Sequence, residues 1–163
     1  MTIILIIVLL VACAFGSVLL VGAPFLPTRK KERKDALDLL NLKSGQVFFD
    51  LGSGTGDLLV EAAKRGLRSV GYEINPFLWA YSWLRTRRYR RLVEIKLQSF
   101  WRADLSGADG VFVFLITHHM EHLARLIDSR LGKKPLRVVS HAFKIPGRTP
   151  AQKLGALFLY IYQ

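Results

Sequence analysis

Hydrophobic and polar positions fall into two regimes along this chain. From residue 2 to residue 23 there is no charged side chain, and nearly every position is Ile, Leu, Val, Ala or Phe. As a helix, about 22 residues at about 1.5 Å each reach about 33 Å, enough to cross the hydrocarbon core of a bilayer. Pro24-Phe25-Leu26-Pro27-Thr28 then forms a stiff exit that no helix continues through. Beyond it the pattern becomes periodic. Ala36, Leu37, Leu39 and Leu40 make the apolar stripe of an amphipathic helix over 31–42. Short apolar runs then predict strands at 46–51, 69–74, 93–99, 111–116, 136–142 and 156–162. Between them, helical patterns cover 57–65 and 120–131, and a further helix begins near Asn75-Pro76 with proline early in its first turn. Gly66 and Gly132 stand where C-caps belong, and Gly66, Gly107 and Gly110 read as turn residues. Strands alternating with helices imply βαβ units. The expected fold class is α/β, a mostly parallel twisted sheet of six to seven strands with helices on both faces, preceded by one transmembrane helix. The organisation that follows is an anchor over 1–23, a basic linker and amphipathic helix over 24–44, and a globular domain over 45–163.

Charge sharpens the picture of the N-terminal run. Every Lys and Arg follows it, so the net charge of +12 rests on about 140 residues. A cleaved signal peptide would want a basic start, a shorter apolar core and a small-x-small cleavage site, and the run has none of these. Arg29, Lys30, Lys31, Arg33 and Lys34 lie just after it. The positive-inside rule therefore puts the N-terminus outside and the domain in the cytoplasm, as a single-pass membrane protein. No Arg- and Ser-rich transit segment precedes the run, which favours a bacterial or archaeal cell membrane over the mitochondrial inner membrane. So basic a domain is drawn to an anionic membrane surface. The single cysteine, Cys13, lies within the apolar run, leaving the domain without a thiol or a disulfide. Five arginines crowd Arg85-Thr86-Arg87-Arg88-Tyr89-Arg90-Arg91, with Trp79, Tyr81 and Trp83 just before them. The plain reading is a solvated helix end; the sharper one is phosphate contact, with lipid headgroups favoured over RNA by the neighbouring anchor.

Candidate chemistry gathers where the first strand ends, at Asp50-Leu51-Gly52-Ser53-Gly54-Thr55-Gly56. Alternate glycines between a strand and a helix let backbone approach a ligand closely. Glu73, seventeen residues after Gly56, ends the second strand as an acid placed to accept from two ribose hydroxyls. A nicotinamide fingerprint would need its third glycine one position later, where this chain has Asp57. His118 and His122 are four apart and share a helix face with Glu121 beside them, yet no Cys or Asp completes a metal set. Lining of a substrate mouth suits these histidines better, so no metal is expected.

The spacing Asp-x-Gly-x-Gly-x-Gly followed by Glu73 resembles motif I and the post-strand acid of class I S-adenosylmethionine-dependent methyltransferases. Within that class the chain resembles a group of small membrane-anchored protein-lysine methyltransferases, whose mitochondrial members modify the adenine nucleotide translocase and the ATP synthase c-ring protein. The stretches that carry the likeness are the anchor with its Pro-Phe-Leu-Pro-Thr exit, Phe49 to Asp57, Gly71-Tyr72-Glu73-Ile74-Asn75-Pro76 and Ser99-Phe100-Trp101. Met120, Arg137-Val138-Val139-Ser140 and Phe143-Lys144-Ile145-Pro146-Gly147 complete it. The resemblance implies a Rossmann-like domain over 45–163 with S-adenosyl-L-methionine as cofactor. It implies that Asp50 holds the cofactor's amino-acid end, or water around it. Gly52, Gly54 and Gly56 leave room for its adenosine and methionine parts, while Ser53 and Thr55 offer hydroxyls and main-chain donors. Glu73 takes the ribose, and Ser99 and Phe100 edge the adenine. It also implies methyl transfer to a lysine of a protein acceptor, a membrane protein in view of the anchor. Thr117, His118 and His119 would then wall the acceptor channel, with His118 as the candidate proton acceptor. A lipid or quinone-precursor acceptor, or a cofactor-binding scaffold without turnover, remains the alternative. Nucleic acid is disfavoured, because Ile116-Thr117-His118-His119 replaces the Asn/Asp-Pro-Pro-Tyr/Phe typical of enzymes that methylate exocyclic amines of bases.

Overall fold

The computed structural model describes residues 5–6, 28–132 and 134–163. The expected anchor therefore lies outside the described residues, apart from Leu5 and Ile6. Among the described residues no helix is long and apolar enough to cross a membrane.

The elements run α1 (Lys30–Leu40), β1 (Val47–Leu51), α2 (Asp57–Lys64), β2 (Arg68–Glu73), α3 (Pro76–Thr86), β3 (Val93–Leu97), β4 (Gly110–Val113), α4 (Thr117–Arg130), β5 (Leu136–His141), β6 (Gln152–Leu154) and β7 (Leu157–Tyr162). They build one seven-stranded sheet in the order β3-β2-β1-β4-β5-β7-β6. β1 to β5 pair in parallel, while β7 runs antiparallel to both β5 and β6. Strand alternation sends neighbouring side chains to opposite faces. Phe48, Phe112 and Val139 meet α1 and α2 through Leu37, Leu40 and Leu59. Val111, Val113 and Val138 meet α4 through Leu123 and Ile127 on the other face. All four residues of the α1 stripe are buried, so this helix belongs to the core of the sheet.

Two departures from the expected boundaries bear on function. α4 begins at Thr117, three residues before the expected start, so Thr117, His118 and His119 form its first turn instead of a loop. β4 ends at Val113, and Gly110 is its first residue rather than a turn, paired with Phe48 and Arg137. A Cβ at Gly110 would stand 2.7 Å from Leu42 Cδ1, so close packing on the segment after α1 accounts for this glycine. β6 escaped the sequence pattern because all three of its residues are exposed and show no alternation.

Candidate active site

β1 delivers the chain to the switch point of strand order, between β2 and β4, where ligands bind in open parallel sheets. There Gly52, Gly54 and Gly56 take φ of 104°, 51° and 74°, a left-handed region that costs glycine little and other residues more. The amides of Gly52 and Ser53 both donate to the Tyr72 carbonyl, at 3.0 and 2.9 Å, folding the loop back over the end of β2. Gly54 N–H donates to Glu73 Oε2 at 2.8 Å, and Asn75 N–H donates to Glu73 Oε1 at 2.8 Å. The carboxylate of Glu73 thus ties the glycine loop to the entrance of α3. Asn75 also caps that helix by accepting from the amides of Phe77 and Leu78. Each Glu73 oxygen takes one protein donor and keeps a further lone pair.

Asp50 lies on β1 between Gly71 of β2 and Phe112 of β4. It is 4% exposed, and its carboxyl has neither a hydrogen bond nor an ion pair among the described residues. Burial first, and the Glu73 charge second, push it up from 3.8 to about 8. Ser53 Oγ is likewise buried without a hydrogen-bond partner. Two acids and an unpartnered hydroxyl therefore share a site with no compensating cation. Gly71 makes this possible: a Cβ there would come within 2.7 Å of Ser53 Oγ and 2.6 Å of Leu59 Cδ1. The sequence signal for it was a glycine inside a strand, which marks close approach of another segment.

A second group stands at the ends of β3 and β4. Ser99 precedes a single 3-10 turn, Phe100–Arg102, in which Phe100 and Trp101 pack partly against the core. Trp101 lies parallel to the His122 ring at 4.2 Å and edge-on to His119 at 5.9 Å. His118 follows at 5.4 Å from His119, and Thr117 and His118 are exposed. His122 is thus engaged with Trp101, and among the described residues no three His, Cys, Asp or Glu side chains gather as metal ligands would. His141, at the end of β5, packs on Phe114 at 4.2 Å. Its Nε2 lies 3.8 Å from Glu32 Oε2 of α1, and its Nδ1 is buried without a partner. Burial holds its pKa below the usual histidine range, against the opposing pull of Glu32. Sequence reasoning gave this histidine no role of its own.

The family model described as the ANTKMT methyltransferase domain matches residues 50–152, from Asp50 to the first residue of β6. The chain belongs to this family. It is 31% identical to the human lysine N-methyltransferase that acts on the ATP synthase c-ring protein, over 136 residues that cover 81% of this chain and 57% of that enzyme. It is also 31% identical over 133 residues to a protein-lysine N-methyltransferase of Saccharolobus islandicus, covering 79% of this chain and 82% of that one. The chain spans less than two thirds of the length of the human enzyme and of its Xenopus laevis counterpart. Among solved structures, an RNA methyltransferase from Salinibacter ruber in complex with S-adenosyl-L-homocysteine superposes with a TM-score of 0.76 at 28% identity. It covers 84% of this chain and 92% of that one.

S-adenosyl-L-methionine is the cofactor of this methyltransferase family, and the ANTKMT-family site fits it. The cofactor is cationic at sulfur and at its amino group, and the site offers two acids lacking a cation. A Cβ at Gly52 would meet nothing within 4 Å, so open space flanks the loop there. The unpartnered Ser53 hydroxyl adds a polar group with nothing yet to bond.

Proposed function

We propose that the chain transfers methyl groups to lysine side chains of a membrane protein, and that residues 2–23 hold it at the membrane. In this reading the domain faces the cytoplasm of a bacterial or archaeal cell, where its positive charge favours anionic lipid. The observation that carries the enzymatic part is the uncompensated pair Asp50 and Glu73 on the glycine loop. It occurs in a chain 31% identical to a protein-lysine methyltransferase across 79% of its length.

When bound, S-adenosyl-L-methionine supplies a methyl group already activated on sulfur, so this chain's own work is alignment and proton handling. The free lone pairs of Glu73 accept from the ribose hydroxyls. Asp50 faces the amino-acid end, where a neighbouring ammonium favours its ionised form over the protonated form that burial imposes. Gly52, Gly54 and Gly56 keep side chains away from the adenosine and methionine parts, and Ser53 and Thr55 bond what lies between. Ser99 and Phe100 edge the adenine. The acceptor amine must arrive neutral, yet with a reference pKa of about 10.4 only roughly a few in ten thousand are so at pH 7. An aromatic wall that includes Trp101 lowers that barrier by desolvating the ammonium. Thr117 and His118, in the exposed first turn of α4, stand where the released proton leaves for water, with an imidazole nitrogen of His118 as its first stop.

The test incubates the full chain, in nanodiscs, with membranes of its own source and methyl-labelled cofactor, using Glu73→Ala as control. Label in a discrete protein band, recovered as methyl-lysine and lost in the control, is the expected result. Label in the organic-solvent fraction would replace the acceptor with a lipid or quinone precursor, and label in RNA would replace it with nucleic acid. Cofactor binding without labelled product would leave a scaffold.

A further inference from the structure

α3 has two unlike sides. Its inner side, Ser82 and Thr86, packs on the glycine loop so tightly that a Cβ at Gly56 would stand 3.0 Å from Ser82 Cβ. Its outer side exposes Tyr81 and Trp83 at 52% and Leu84 at 62%, large side chains that water solvates poorly. The helix then runs directly into Arg85, Arg87, Arg88, Arg90 and Arg91, and no acid occurs between Glu73 and Glu94. Leu84, Arg85, Arg87, Arg88 and Arg90 line one shallow surface depression. Of these arginines only Arg85 has an ion-pair partner among the described residues, Asp57. Aromatic and aliphatic side chains beside unpaired arginines form the composition that settles at the boundary of an anionic bilayer.

The position of this surface is fixed by one carboxylate. Asp57 Oδ1 accepts from Arg85 Nη2 at 2.5 Å and lies 3.9 Å from Arg33 Nη2 of α1. Arg33 in turn donates through Nη1 to the Thr28 carbonyl at 2.5 Å. Asp57 therefore brings the start of the arginine surface beside the segment through which the chain arrives from its apolar run. That run ends at Ala23, five residues before Thr28, a stretch that spans at most about 17 Å when fully extended.

We propose that the outer side of α3 and the arginines after it dock on the anionic lipid surface of the membrane that takes residues 2–23. Tyr81, Trp83 and Leu84 lie at headgroup depth, and the arginines reach lipid phosphates. The inference rests on the membrane reading above and adds a second, structured contact. It sets the glycine loop about one helix diameter, roughly 10–12 Å, from the headgroups, and so selects acceptor lysines close to the membrane surface.

The experiment uses the full chain with Cys13→Ser and Leu84→Cys, labelled at position 84 with an environment-sensitive fluorophore. It is reconstituted into nanodiscs of phosphatidylcholine alone or with added phosphatidylglycerol. A blue shift and quenching by brominated acyl chains are expected in the anionic discs. Both should be lost when Arg88, Arg90 and Arg91 are all changed to Glu, a variant whose folding is checked by its melting temperature with and without cofactor. Co-elution with phosphatidylcholine discs reads the apolar run separately. A chain that co-elutes while its label stays in water in both discs overturns the docking surface and leaves the anchor. A chain that ignores phosphatidylcholine discs but shifts on anionic vesicles overturns the anchor and keeps the docking surface. A shift produced by a short RNA without lipid, and stronger than that with anionic vesicles, overturns the proposal in favour of a nucleic-acid partner.

Discussion

Glu73 and Asp50 are neighbours of the same charge with opposite surroundings, and that difference decides how each responds to change. Glu73 carries two backbone donors, so replacing it with Ala removes the partner of both amides and the acceptors meant for the ribose. A cost of about 1–3 kcal/mol in cofactor binding is expected, read by calorimetry with S-adenosyl-L-methionine. Near-normal affinity would remove Glu73 from the ribose role. Asp50 has no such support and is pushed up to about 8. Between its unfolded pKa of 3.8 and about 8, the folded protein holds a proton that the unfolded chain has released, so stability falls as pH rises through that window. The melting temperature of the cofactor-free protein should therefore drop between pH 6 and pH 8.5, as checked by calorimetry in matched buffers. Asp50→Asn should flatten that slope, and an unchanged slope would exclude Asp50 as its source. His141 acts with the opposite sign. Its depressed pKa makes the folded state resist a proton that the unfolded chain accepts, so its contribution fades as pH falls below about 6.5.

At the scale of elements, the glycine loop and the strand beneath it form one packing unit. Gly71 leaves room for Ser53 and Leu59, so Gly71→Ala forces the loop to move. A loss of about 1–3 kcal/mol in folding stability is expected, with weaker cofactor binding, from denaturant melts and calorimetry together. Gly107→Ala is the control: no atom lies within 4 Å of the new Cβ, and an effect within about 0.5 kcal/mol is expected. Equal effects would mean that the loop does not depend on Gly71. The same contrast explains what the sequence could tell. Asp50, the three loop glycines and Glu73 were legible because ligand chemistry fixes both their types and their spacing. α1 was legible because one face is buried and the other wet. β6 was not, since an exposed edge strand has no buried face to impose alternation. The start of α4 was missed because Thr117, His118 and His119 have no apolar periodicity, and the helix is held through Met120, Leu123 and Ile127 further on. The meeting of Arg33, Asp57 and Arg85 was invisible because their separations in sequence, unlike a motif, follow from the tertiary fold alone.

For the whole molecule, the consequential feature is that the segment after the apolar run is part of the body. α1 packs on β4, β5, β7 and α2, and Ala36, Leu37, Leu39 and Leu40 are buried between them. Burial of each leucine contributes about 1.5–3 kcal/mol, against a total stability of about 5–15 kcal/mol for a domain of this kind. Polar ties reinforce the packing: Arg137 Nη2 donates to the Leu39 carbonyl at 3.2 Å, and Arg65 Nη1 donates to Asp38 Oδ1 at 2.6 Å. A chain begun at Thr28 retains all of these contacts and should melt in one cooperative transition. A chain begun at Lys43 exposes Phe48, Phe112 and Val139 along a stripe of the sheet and loses most of that stability. It should show no cooperative transition by circular dichroism, and it should bind an apolar dye at room temperature. A cooperative melt of the shorter chain at the same temperature as the longer one would mean that α1 is an appendage to the domain. If instead α1 is needed, only residues 24–27 stand between the apolar run and the segment that Arg33 ties to the body. Orientation at the membrane then passes directly to the glycine loop through Arg33 and Asp57.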